Sequence, residues 1–148
     1  MSLTRTRVPL EAVRTLLTVE MPPLYAVSLD GGSLADGTTP VSREVVIDPV
    51  TTPDPQWVTM GAPERSTMLI QVTIRDTTRE GCRLAGDHVR DVLTSRRRGG
   101  AVYPLDAAGY VFDVPTSQQD GHVETSGGVH TWVETFRLGW QYRVAPPA

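Results

Sequence analysis

Between Met68 and Leu93 the chain changes its hydrophobic period without a break, and that switch constrains its fold more than any other feature. Met68, Ile70, Val72 and Ile74 alternate with Leu69, Gln71, Thr73 and Arg75. A period of two with one apolar face predicts a strand over 68–74. The strand runs directly into a helical pattern, where Thr77 with Glu80 fits a capping box. Cys82, Ala85, Val89, Val92 and Leu93 then form an apolar stripe opposite Arg83, Asp87, Arg90 and Asp91. Arg83 and Asp87 stand one helical turn apart, an exposed pair worth a few tenths of a kcal/mol. The helix is expected to stop at Arg96-Arg97-Arg98-Gly99-Gly100, with cations where the helix dipole favours them and glycine where the chain must turn left-handed.

The remaining elements are read the same way. Leu10, Val13, Leu16 and Leu17 recur at helical spacing and predict a helix over 6–19, with Pro9 in its first turn and Pro22-Pro23 ending it. Short strands are predicted over 24–29 (LYAVSL), closed by a turn at Asp30-Gly31-Gly32, and over 43–48 (REVVID). From 49 to 66 the chain is proline-rich, with Pro49, Pro53, Pro55 and Pro63, and is expected to be a loop that joins no central strand and no helix. A strand over 110–114, a turn over 118–121 and a strand over 122–125 lead to Ser126-Gly127-Gly128, a strong hairpin turn. The return arm, 130–144, is the longest strand, with Trp132, Phe136, Leu138, Trp140, Tyr142 and Val144 on one parity. Glu134 interrupts that parity, so the beginning of this strand is expected to project beyond the core or to face a neighbour. The order of elements argues for one α+β domain over 1–148, an antiparallel or mixed sheet packed by two helices with a long carboxy-terminal β-hairpin, and a flexible tail at 145–148.

Composition narrows the function. The chain has 148 residues, the commonest size for one domain, and its 39% hydrophobic and 21% charged content is that of a folded protein. No apolar run is long enough for a membrane span, and Arg5, Arg7, Glu11 and Arg14 break any apolar signal core, so a cytoplasmic folding environment and no membrane partner are expected. A net charge of −3 without a basic face argues against sequence-specific nucleic-acid binding. All 14 basic residues are arginine, and neither lysine nor asparagine occurs. Those absent residues have AT-rich codons, so a GC-rich genome is expected, which the base composition of the gene checks.

No enzyme active site, cofactor or metal centre is legible. Cys82 is the single thiol, so no internal disulfide or multi-cysteine metal site exists, and its place on the apolar stripe marks it as a small core residue. His88, His122 and His130 lack metal-ligand spacing, and the Gly31-Gly32 and Gly99-Gly100 pairs lack the lysine of a phosphate loop. The candidates that remain are interface residues. Trp57 and Met60 are large apolar side chains in a proline-rich loop, which either plug the domain's own core or dock into a partner. Arg96, Arg97 and Arg98 either satisfy a helix end or meet an acidic neighbour. Trp132 and Glu134 complete the set.

Four stretches, VPLEAVRTLL, MLIQVTIRDT running into REGCRLAGDHVRDVLTSR, and the final TWVETFRLGWQYRV, together resemble the tail terminator proteins of long-tailed bacteriophages over most of the chain. The resemblance implies a structural virion protein that closes into a hexameric ring, ends tail-tube polymerisation and presents a surface to the head. Its implied partners are other copies of itself, the major tail tube protein and the head-to-tail connector or stopper protein, and the family has no catalytic residues to carry over. The insertion between Asp48 and Glu64 departs from the compact family pattern. Two alternatives stay open: a connector or stopper protein of the neck, which gene order separates from a terminator, and a small ligand-binding or enzymatic domain, which requires a closed cavity lined by His122, Asp120 and Asp113.

Overall fold

The structure, a computed structural model, describes residues 3–29, 43–51, 54–56, 65–94, 105 and 107–142. The chain opens with helix α1, Leu3–Glu20, which begins earlier than the sequence pattern indicates and so carries Pro9 inside it. There the proline withdraws one N–H from the helical ladder. The apolar stripe falls as expected: Leu10, Val13, Leu16 and Leu17 are buried, while Arg7, Glu11 and Arg14 form ion pairs on the outer side.

Strand β1, Ala26–Leu29, pairs in parallel with β2, Glu44–Pro49. β2 pairs antiparallel with β4, Arg65–Asp76, and β4 pairs antiparallel with β8, Val129–Tyr142. Between β2 and β4 the proline-rich segment contributes one short strand, β3, Asp54–Gln56, laid beside Arg65–Thr67. Proline is tolerated there because β3 is an edge strand, and Pro49 likewise sits at the last position of β2. Helix α2, Arg79–Thr94, follows β4 after a two-residue junction. On its far side β8 is lined in turn by β5, Tyr110–Phe112, β6, Thr116–Gln119, and β7, Val123–Ser126. The β7–β8 hairpin turns on Gly127 and Gly128, with φ of 59° and 79°, the left-handed pair that a type I′ turn requires. β6 occupies positions read from sequence as a loop and turn. Its four residues, TSQQ, carry no apolar alternation, and backbone pairing to β8 alone makes them a strand.

The result is a mixed α+β sheet of eight strands among the described residues, with both helices packed into one core on one side. Met68, Ile70, Val72 and Ile74 of β4, Phe136, Leu138 and Trp140 of β8 and Val45 and Ile47 of β2 meet the helical stripes there. Each such fully buried side chain contributes roughly 1.5–3 kcal/mol of transfer free energy. No helix among the described residues is long and apolar enough to cross a membrane.

Two glycines shape this core. A Cβ on Gly86 of α2, or on Gly121 before β7, would collide with the indole of Trp132. The ring therefore fits only because both positions lack a side chain. Gly86→Ala should lower stability by about 1–3 kcal/mol through overpacking, although alanine is the better helix former by about 1 kcal/mol. Urea unfolding checks this, and a variant as stable as the parent would contradict the packing described.

Candidate functional site

Of the residues singled out from sequence, Trp57, Met60, Arg96, Arg97 and Arg98 lie outside the described residues. Trp132 and Glu134 are described: Trp132 lies in the core, as its parity on the strand predicts, and Glu134 corrects the expectation that it projects beyond the core. Neither is offered to a neighbour: Trp132 is 6% exposed and Glu134 1%. Glu134 keeps the core-facing parity of β8, and its carboxylate is met by the guanidinium of Arg90 from α2, Nε to Oε2 at 3.0 Å and Nη2 to Oε1 at 3.0 Å. Ser117 of β6 donates to the same carboxylate at 2.7 Å. Arg90 also stands over the Trp132 ring, 5.7 Å from its centroid. A buried charge is tolerated when a forked, hydrogen-bonded partner meets it, and here the partner comes from the helix packed across the strand.

A second polar cluster organises the junction from β4 to α2. The helix is capped one residue later than the sequence suggests: Thr78 Oγ1 accepts the Gly81 N–H at 3.1 Å, and Glu80 pairs with Arg83 instead of closing a capping box. The expected Arg83–Asp87 pair is present at 3.4 Å. Asp76 accepts the Thr78 N–H at 3.1 Å and a hydrogen bond from the Tyr25 hydroxyl, with Arg43 at 3.5 Å. Burial pushes the Asp76 pKa up, but the Tyr25 hydroxyl, the Thr78 and Thr77 N–H groups and Arg43 outweigh it and hold the carboxyl below the usual carboxylate range. The Cys82 thiol, buried beside this cluster, is pushed up to about 11 by burial and by the charge of Asp76, the behaviour of a core thiol.

The histidines are separate. His88 donates from Nε2 to the Glu20 carbonyl at 2.8 Å, His122 meets Glu124 at 3.0 Å, and His130 meets Thr125 at 2.8 Å. Among the described residues no group of three or more His, Cys, Asp or Glu side chains could hold a metal. Asp113 and His122 line different surface clefts, so the cavity required by an enzymatic reading is not assembled from them.

The side of the sheet opposite the helices is different in character. There β4 presents Arg65, Thr67, Leu69, Gln71, Thr73 and Arg75, and β8 presents Thr131, Val133, Thr135, Arg137, Gly139 and Gln141. At the β2 end of this face Glu44, Val46 and Thr73 are buried, with Glu44 paired to Arg75. Toward β8 it opens, leaving Val111 40% and Val133 38% exposed. A cleft of about 370 Å³ lies here, lined by Arg65, Thr67, Asp113, Val114, Thr116, Arg137 and Gly139. Arg65 and Asp113 form an ion pair across it. Of these residues only Asp113 is singled out from sequence, as a wall of the alternative enzymatic cavity. The available signal was Arg137, a charge on the outward parity of β8 followed two positions later by a glycine.

No protein-family model and no curated protein matches the chain.

Glu134→Ala should cost about 1–3 kcal/mol, less than a fully buried pair because Arg90 keeps a third of its side chain in solvent. Chemical denaturation measures it, and an unchanged midpoint would contradict the pairing. Asp76 has a depressed folded-state pKa, so its stabilisation is present above the unfolded value of about 3.9 and is lost as pH falls through the folded value. Asp76→Asn should therefore flatten the acid limb of stability against pH below about 4. Equal slopes in parent and variant would rule that contribution out.

Proposed function

We propose that this chain is a structural subunit of a long-tailed phage virion, a tail terminator whose copies close into a ring, most simply a hexamer. The ring caps the tail tube, ends its polymerisation and offers its other surface to the head-side connector. The observation that carries the reading is the one-sidedness of the sheet. Its helices cover one face; among the described residues no helix covers the other, and no strand lies beyond β1 or beyond the β5, β6 and β7 series. Free edges are a hazard in an isolated domain and an adhesive in an assembly. A head-to-tail contact also needs two different patches on each subunit, which an open face and two unlike edges supply. The family resemblance of the strand-to-helix junction and the final strand supports the same reading. With Trp132 and Glu134 engaged inside their own chain, its interface lies on the open face and the edges.

Electron microscopy of the purified protein, alone and with tail tube protein, tests the reading. Rings with a central opening, seated at tube ends, are expected. A protein that stays monomeric by sedimentation with tube protein present would overturn it.

A further inference from the structure

We propose that segment 116–122 is a strap, closed over the Arg90–Glu134 pair and the Trp132 indole, which opens as a unit while the rest of the sheet stays folded. One movement then uncovers the middle of the β8 edge, the indole and the buried carboxylate. The strap is a property of the single chain and does not depend on the ring reading.

The segment has little of its own to hold it down. Thr116, Gln118, Gln119, Asp120 and His122 are exposed, Ser117 is half-buried, and none of them is apolar. β6 meets β8 with Thr116 opposite Arg137, Ser117 opposite Phe136 and Gln119 opposite Thr135, and the register shifts between the last two. Such a bulge leaves its extra residue, here Gln118, out of the ladder. The chain rejoins β8 only at Val123 opposite Trp132, so 120–122 add no ladder pairs. Few buried apolar contacts and a short, exposed ladder place a segment at the low end of local stability. Its two ends are fixed by contrast, since Pro115 is buried and Val123 packs against the core.

What holds the strap shut converges on one place. Ser117 donates to the Glu134 carboxylate at 2.7 Å, Asp120 reaches Arg90 at 3.8 Å, and Gly121 lies so close on the Trp132 indole that a Cβ there would collide with it. An ionised carboxylate kept from water is costly even when paired. Lifting the strap readmits water to Glu134 while Arg90, carried by α2, stays bonded to it, so the lost Ser117 hydrogen bond is partly offset. Asp120 is 89% exposed and gives up only a long contact. Phe136 and Leu138 remain in the main core and keep β8 where it is. The open and closed states therefore differ by a few polar contacts and not by the core.

Native-state hydrogen exchange of the whole chain, read by mass spectrometry, tests the strap. Amides of 116–119 should exchange about tenfold or more faster than those of 69–73, at a rate that dilute urea leaves unchanged because opening exposes little surface. Ile70→Val, a change in the core, should speed exchange in 69–73 severalfold and leave 116–119 unaltered. Ser117→Ala should speed 116–119 by about tenfold, since it removes a hydrogen bond to a charged acceptor. Exchange of 116–119 in step with 69–73, in the parent or in Ile70→Val, would overturn the inference by tying the segment to global unfolding. Exchange of 116–119 at the rate of an unstructured chain would overturn it by showing that no closed strap exists, as would an unchanged rate in Ser117→Ala.

Discussion

The antiparallel pairing of β4 with β8 holds the rest of the structure in place. It runs without interruption from Arg65 opposite Gln141 to Asp76 opposite His130, and every other strand but β1 joins the sheet through one of these two. β2 and β3 take the free side of β4, and β5, β6 and β7 take the free side of β8. Helix α2 rests on the face this pair presents, and α1 lies beside it over β1 and β2. Because the two strands are far apart in sequence, their closure carries a large entropic cost before the core rewards it, and a folding rate set by that non-local step is the consequence.

Such a long pairing needs its register fixed, since a slip of one residue would turn every side chain of β8 to the wrong face. Two features oppose a slip. Glu134 is satisfied only where Arg90 and Ser117 converge, and Trp132 fits only between Gly86 and Gly121. A buried ion pair adds little net stability compared with apolar packing, but its loss in every other register makes the native one unique. Glu134, which looks misplaced for a core, thus serves together with Trp132 to position β8.

Legibility in the sequence followed how one-sided each element is. β4, α2 and β8 bury one face and expose the other, so their periods were plain, and the φ-positive turn at Gly127 and Gly128 was written in the residues themselves. β6 was hidden because an edge strand of polar residues leaves no pattern, and β3 because its proline is acceptable at an edge. The helix cap fell on Thr78 instead of Thr77 because Asp76, committed to Tyr25 and the Thr78 N–H, fixes where the helix begins. Glu134 was misjudged for a related reason: its partner lies on a helix remote in sequence, and a single-strand pattern cannot contain it. The open-face cleft was not visible for the same cause, since Arg65, Asp113 and Arg137 meet only once β4, β5 and β8 are side by side.

The central proposal is that neighbouring copies complete the unused face and edges of a one-sided sheet. Hydrogen exchange, compared between the dilute chain and the proposed ring, tests it most directly. The account predicts slower exchange on assembly in Ala26–Leu29, Thr116–Gln119 and Val123–Ser126, with little change in the core of α2 and in β4. Equal exchange in those edge strands before and after assembly would contradict it.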